Sequence, residues 1–196
     1  MINQVFSNKY YRLMSFIIRE TNNPDEIKEI IREKDIISST EFYNVAKEHE
    51  LSSTIYVKLQ KKTGIDLGGQ WAIDAETTRK RLGFLFSKVE QLGKRLQQEG
   101  ITLVLLKNGG IAIDIMDDLA ECPMGDIDMF CRKDDFINVH KIILESGFEF
   151  KFRSIYEFED IDLAFADGST EYSIKNGDEV AWVELAWRPV AGRWIR

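Results

Sequence analysis

The stretch from Ile101 to Cys131 constrains the fold most, because it joins a strand, a glycine turn and a helix in that order. Ile101 to Leu106 is a branched apolar run of strand length, and the next four residues, Lys107 to Gly110, end with two glycines that tolerate positive φ. Helical spacing resumes from Ile111 to Leu119. The sequence therefore predicts a buried strand that enters a glycine turn, with backbone N–H groups near Gly110 at a helix start that favours phosphate.

Two aspartates follow this helix in the segment Gly125-Asp126-Ile127-Asp128, after Pro123 has ended the helical pattern. Alternate residues of a strand share a face, so Asp126 and Asp128 are expected to point the same way, about 7 Å apart along the chain. Like charges so close repel each other unless a cation lies between them. An oxygen-only site suits Mg²⁺ that carries the phosphates of a nucleotide. The pattern predicts such a metal site on this strand.

The order of strand, glycine pair, helix and Gly-Asp-Ile-Asp resembles the signature of the DNA polymerase beta nucleotidyltransferase superfamily. Within that superfamily, LLK followed by glycines at 105–110 and MGDIDMF at 124–130 resemble a family of uncharacterised bacterial nucleotidyltransferases. The resemblance extends over roughly residues 40 to 190 of this chain. It implies an α+β fold, with a polymerase beta-type core of a short mixed sheet and flanking helices, preceded by a helical lobe.

The resemblance also implies nucleotidyl transfer with two metal ions, held by two aspartates on one strand and a third carboxylate on a neighbouring strand. Asp126 and Asp128 are the expected catalytic and metal-binding pair, with two Mg²⁺ ions as cofactors and Mn²⁺ as an alternative. The residues predicted to bind the nucleotide lie in the glycine turn and before the second strand: Lys107, Gly109, Gly110 and Gly125. For Lys107 the alternative is a lysine that extends into solvent from a strand end.

Glu184 is the candidate for the third carboxylate, with both a catalytic and a metal-binding role. The resembled family has Asp-Leu-His-Trp on this strand, whereas this chain has Glu184-Leu185-Ala186-Trp187 and so departs from it twice. The Glu184 side chain is one methylene longer than the family's aspartate, and Ala186 stands where the family has a histidine. A second D-x-D, Asp160-Ile161-Asp162, competes for the role, but it lacks the preceding glycine and lies in an acidic run typical of a solvated edge or loop.

The composition limits the kinds of molecule that this protein is expected to bind. A net charge of -7 argues against binding long stretches of nucleic acid, which depends on Lys and Arg. An NTP and a small-molecule or peptide acceptor fit better.

Two cysteines are too few for a disulfide framework, and neither histidine lies at zinc-ligand spacing from them. Without a signal-peptide pattern or an apolar run of membrane-spanning length, the sequence predicts a cytoplasmic protein with no membrane partner, and it leaves the oligomeric state open.

Two domains are predicted: a mainly helical amino-terminal lobe at residues 1–99 and a nucleotidyltransferase core at residues 100–196. A long helix from Ile73 to Gln98 leads into the core. A hairpin with Asn-Gly at its tip is predicted for 171–174 and 180–187, and further strands for 148–155 and 163–165. The resembled proteins continue with further helices, which leaves open that the core is truncated at its carboxyl end.

The predicted function is Mg-dependent transfer of a nucleoside monophosphate from an NTP to a hydroxyl or phosphate acceptor on a small molecule or peptide, with release of pyrophosphate. The alternative is a non-catalytic module that keeps the fold and binds a nucleotide or a protein, which the altered strand around Glu184 favours. A toxin-like enzyme that modifies tRNA or protein would use the same residues and differ only in its acceptor.

Overall fold

The computed structural model describes residues 9–20, 23–151 and 160–188. Contacts among them divide the chain into two compact units. The first lies in Met1–Lys80 and takes in Asp117–Pro123, and the second lies in Arg81–Met116 and Met124–Arg196. The two predicted domains, residues 1–99 and 100–196, stay a prediction.

Helices make up the first unit, as predicted. They are α1 (Lys9–Ile18), α2 (Pro24–Arg32), α3 (Lys34–Ile37), α4 (Thr40–Glu48), α5 (Ser52–Thr63) and the start of the long helix α6 (Gly69–Gln98). Side chains cap two of these helices: the Asn23 side chain accepts from the Asp25 N–H, and the Ser39 hydroxyl accepts from the Phe42 N–H. The core of this unit is apolar, with Leu13, Phe42 and Leu59 fully buried.

Residues 117–123 belong to the first unit because ion pairs and a hydrogen bond hold them there. Arg79 binds the Asp118 carboxylate through two nitrogens, and the buried Lys58 ammonium lies 3.2 Å from the carboxylate of buried Glu121. Asp118 also caps a short 3₁₀ turn, Leu119–Glu121. The predicted helix through Leu119 is therefore wrong at its end, since this segment is anchored by its charges instead of continuing the helix.

The second unit contains a five-stranded mixed sheet, in agreement with the predicted α+β class. Its strands are β1 (Val104–Leu105), β2 (Asp126–Phe130), β3 (Glu149–Phe150), β4 (Ser169–Asn176) and β5 (Glu179–Ala186), in the order β1-β2-β5-β4-β3. Strands β2 and β5 are parallel, and the other neighbours are antiparallel. The predicted hairpin is confirmed as β4 and β5, with Asn176 paired to Glu179 across a tight turn.

One face of the sheet is apolar and covered by helices. Ile127, Met129, Val183 and Leu185 are fully buried on it. Helix α7 (Lys107–Asp114) packs closely against β2, and helix α8 (Phe136–Glu145) contacts β4 through a 2.8 Å hydrogen bond between His140 Nδ1 and the Tyr172 hydroxyl. Because side chains alternate along each strand, the intervening polar residues lie on the opposite face.

Four elements differ from the sequence prediction. The buried strand predicted at Ile101–Leu106 is confirmed only at Val104–Leu105 (β1), and β1 is not buried, since Val104 is 45% exposed. Helix α7 begins at Lys107, four residues before the predicted start, and ends at Asp114. The predicted strand at Leu163–Phe165 is wrong, because these residues lie in helix α9 (Ile161–Asp167), which the Asp160 side chain caps. Of the strand predicted for 148–155, Glu149–Phe150 is confirmed, and residues 152–159 lie outside the described part of the chain.

None of the helices in the described residues is both long enough and apolar enough to cross a membrane.

Candidate active site

Four carboxylate residues share the polar face of the sheet. Asp126 and Asp128 alternate with the buried Ile127 on β2, and β5 pairs Asp128 directly with Glu184. Glu184 is paired in turn with Glu171 on β4. Paired residues on neighbouring strands project to the same face, with the strands about 4.8 Å apart. The register therefore places Asp128, Glu184 and Glu171 in a row across three strands.

Burial of the apolar face fixes this register. Ile127 and Met129 are fully buried, and so are their β5 partners Val183 and Leu185. A slip of one residue would exchange the buried and polar faces of the strand, which the burial of these four side chains opposes. The carboxylates are therefore held half-buried on the polar face, with little freedom along the strand.

Lys107 supplies a positive charge to this face. Its ammonium lies 2.6 Å from Oδ1 of Asp128, and the ion pair, together with the more distant Glu184 and Asp126, raises the pKa of Lys107 above its ordinary value. The predicted alternative, a lysine extended freely into solvent, does not describe this side chain, although it remains 69% exposed. The lysine backbone is in the left-handed region, with φ of 50°.

Glu184 differs from its neighbours in its environment. Burial raises the pKa of Glu184, and the nearby charges of Asp128 and Glu171 raise it further. The Lys107 charge and a hydrogen bond with the Ser169 side chain act in the opposite direction. The carboxyl group that was predicted to complete the site therefore holds its proton more tightly than an exposed glutamate would.

The two glycines are needed for close packing and not for positive φ, so that part of the prediction is wrong. Neither Gly109 nor Gly110 has positive φ. A Cβ on Gly109 would lie 3.1 Å from Cγ2 of Ile127, and one on Gly110 would lie 3.1 Å from the carbonyl oxygen of Leu105. The glycines thus let the first turn of α7 approach β1 and β2. Gly125 is exposed at the entry to β2.

The start of α7 has no side-chain cap, because its N-cap residue is Leu106. The N–H groups of Gly109 and Gly110 both point to the Leu106 carbonyl oxygen, at 3.2 and 3.5 Å. The Leu106 N–H in turn donates to the Asp128 carbonyl oxygen at 2.9 Å. This helix start is therefore tied directly to the strand that carries the aspartates.

The fit to a metal depends on the donor set. Asp126, Asp128 and Glu184 offer oxygen donors only, which suits Mg²⁺ or Mn²⁺ and not zinc. Over residues 9–20, 23–151 and 160–188, no three His, Cys, Asp or Glu side chains are already gathered as a metal-holding group. The Lys107 ammonium lies 2.6 Å from one oxygen of Asp128. The donor chemistry of the three carboxylates fits the metal.

Several other charged residues of the chain have structural partners. Asp117 pairs with Lys61 at 2.7 Å, Arg81 donates to the Met124 carbonyl oxygen at 2.6 Å, and the Asp160 carboxylate caps α9. Lys133 lies over the Trp187 ring, 4.6 Å from its centroid. These groups are engaged in local structure and are not part of the carboxylate row.

A family model described as uncharacterised nucleotidyltransferase matches residues 37–194, which is more than half of the chain. The chain belongs to this family. The match includes the glycines in the first turn of α7, both aspartates of β2 and Glu184, so the region that matches the family contains the carboxylate-bearing strands. Comparison with curated proteins and comparison with solved structures each found no significant match.

Sequence reasoning missed Glu171. The signal was present in the predicted hairpin, because a two-residue turn after Asn176 pairs it with Glu179 and, five residues further along each strand, pairs Glu171 with Glu184. Working out that register would have placed a fourth carboxylate beside the site.

Proposed function

We propose that this nucleotidyltransferase family member uses the polymerase beta-type reaction. It would transfer a nucleoside monophosphate from an NTP to a hydroxyl or phosphate acceptor on a small molecule or peptide and release pyrophosphate. The single observation that carries the proposal is the register that pairs Asp128 with Glu184 on parallel strands, with Asp126 two residues away on the same face. The family match supports nucleotidyl transfer in general.

In this proposal Asp126, Asp128 and Glu184 would hold two Mg²⁺ ions. When bound, the ions would supply charge stabilisation to the triphosphate and to the attacking oxygen. The strand pairing keeps Asp126 and Asp128 on a fixed surface, so they lose little conformational freedom when they bind a ligand. Glu184, whose pKa is raised, is suited to accept the proton of the acceptor hydroxyl.

The start of α7 would receive the triphosphate. Its backbone dipole and uncapped first turn favour an anion. Close packing of Gly109 and Gly110 on β2 and β1 holds this helix start beside the carboxylate-bearing strand. Lys107, at the first position of the helix, adds a mobile positive charge beside the same strand. The acidic overall charge supports a compact acceptor over a long nucleic acid.

A second candidate is a non-catalytic module that binds a nucleotide or a protein through the same fold. The ion pair between Lys107 and Asp128 favours it, because this pair gives one aspartate a cationic partner within the chain itself. The departure from the resembled family at Glu184 and Ala186 points the same way.

Thermal unfolding with ATP, GTP, CTP and UTP, each with and without Mg²⁺, tests the proposal. The wild type should gain thermal stability with a nucleotide only when Mg²⁺ is present, since a ligand that binds the native state stabilises it by mass action. Asp126→Asn/Asp128→Asn should abolish that gain. Glu90→Gln, an isosteric change at an exposed carboxylate on α6, is the matched control and should keep it.

Catalysis is tested separately by release of pyrophosphate from the stabilising nucleotide in the presence of hydroxyl and phosphate acceptors. Loss of one aspartate should lower the rate by about 10²-fold or more, because charge stabilisation is the main catalytic effect of such a site. Metal-dependent binding without turnover would favour the non-catalytic module. Binding unaffected by the double substitution would reject the site itself.

A further inference from the structure

Lys107 and Asp128 form an unequal ion pair. The Asp128 side chain is 15% exposed and is fixed on the central part of the sheet, whereas the Lys107 side chain is 69% exposed. The lysine ammonium reaches Oδ1 of Asp128 at 2.6 Å from the start of α7. A flexible four-carbon arm of this kind can change partners without unfolding the elements that carry it.

The backbone of Lys107 is strained at the same point. Its φ of 50° lies in the left-handed region, and in the described ranges Glu50 is the other non-glycine residue with positive φ. Such a conformation persists where the surrounding structure imposes it. Here the surroundings are tight: the Leu106 N–H donates to the Asp128 backbone carbonyl, and a Cβ on Gly110 would lie only 3.1 Å from the Leu105 carbonyl oxygen.

The charge of Lys107 acts on all three proposed metal ligands. It interacts most strongly with Asp128 and more weakly with Glu184 and Asp126. A divalent ion held by these carboxylates would bind Asp128 beside the ammonium that already contacts its Oδ1. The lysine and the ion therefore compete for the same carboxylate, and the lysine needs another anion if it is displaced.

We infer that Lys107 is a resident counter-cation that changes partners: it pairs with Asp128 in the metal-free protein and with the nucleotide's phosphates in the loaded protein. This inference rests on the proposed function. Its consequence is that a divalent ion alone binds weakly, because it must displace the ammonium and remain near it. An ion that arrives with a polyphosphate binds well, because the polyphosphate gives Lys107 a new partner, and each ligand then raises the affinity for the other.

Calorimetric titration with Mn²⁺ alone, and with inorganic tripolyphosphate in the presence of Mn²⁺, tests the inference without knowing the preferred base. Lys107→Met should bind Mn²⁺ alone about tenfold more tightly and tripolyphosphate about tenfold more weakly than the wild type. Lys107→Arg, which keeps the positive charge, should retain the coupling between the two ligands. Lys94→Met is the matched control, because Lys94 pairs with Glu90 at 2.6 Å on an exposed face of α6.

The opposite signs of the two changes in affinity are decisive, since loss of a lysine with a purely structural role would weaken the binding of both ligands together. Equally weakened binding of both ligands by Lys107→Met, or affinities no different from those of Lys94→Met, would overturn the inference. The failure of the proposed function has a different signature. In that case the wild type would show no binding of Mn²⁺ with tripolyphosphate that depends on Asp126 and Asp128.

Discussion

Asp128 and Glu184 are register partners on the parallel strands β2 and β5, and this pairing changes how Glu184 titrates. Burial first, and then the charge of Asp128, raise the pKa of Glu184 above its ordinary value of 4.5. The folded protein therefore binds this proton more tightly than the unfolded chain does. The carboxyl group costs no stability below pH 4.5, and its cost grows as the pH rises through the folded-state pKa.

Glu184→Gln should consequently raise the melting temperature of the metal-free protein at neutral pH, and the gain should disappear on acidification below the ordinary glutamate pKa. Glu90→Gln is a control of opposite sign, because a hydrogen bond with Lys94 lowers the pKa of Glu90. Melting curves in chelator across this pH range provide the measurement. A pH-independent effect of Glu184→Gln would show that packing, and not the proton, is responsible.

Gly110→Ala should destabilise the protein by about 1–3 kcal/mol, because its Cβ would meet the Leu105 carbonyl oxygen at 3.1 Å and backbone atoms cannot move aside cheaply. Gly93→Ala in α6 is the matched control. Its Cβ would meet nothing within 4 Å, so this change should stabilise the helix by about 0.5–1 kcal/mol. Urea unfolding of both variants measures the difference. Stabilisation by both substitutions would contradict the close approach of α7 to β1.

Lys107→Gly should be more stable than Lys107→Ala by about 1 kcal/mol, since both remove the ammonium but only glycine adopts a φ of 50° without strain. The order should reverse at Lys94 in the interior of α6, where alanine is favoured by about 1 kcal/mol. Chemical denaturation of the four variants gives the comparison. An alanine variant as stable as the glycine variant would mean that Lys107 does not have a left-handed backbone.

His140 should make the protein sensitive to acid. Burial lowers the pKa of His140 below its ordinary value of 6.5, and its Nδ1 lies 2.8 Å from the hydroxyl of fully buried Tyr172. The unfolded chain then takes up the proton more readily, so stability is present above pH 6.5 and falls as the pH drops below it. Urea unfolding between about pH 7.5 and pH 5 should show this loss in the wild type and less of it in His140→Gln. Equal slopes for the two proteins would exclude His140 as the cause.

The elements that follow local rules were predictable from the sequence. The caps at Asn23 and Ser39 and the apolar stripe of α6 depend on neighbours within one or two turns, and the structure contains them, with Leu82, Leu85 and Leu92 of the stripe fully buried. The alternation of Asp126 and Asp128 around a buried Ile127 is also local, because it follows from the two-residue period of a strand.

Short segments were less predictable. Leu163–Phe165 is too short for its apolar pattern to distinguish a strand from a helix, and it lies in a helix that the Asp160 carboxylate caps. The observed start of α7 also differs from the predicted one. The glycines lie in the helix itself, where Gly109 packs against Ile127 and Gly110 packs against the β1 backbone.

The sequence by itself determined the kinds of residue available to the site: two aspartates on one strand face, a third carboxylate on a later strand and a glycine pair next to a lysine. Only the tertiary structure decided which of them meet. Pairing of β2 with β5 puts Asp128 beside Glu184, and a left-handed Lys107 reaches Asp128 from the start of α7. The physical reason is that register between strands is set by burial of the whole apolar face, which no short stretch of sequence specifies.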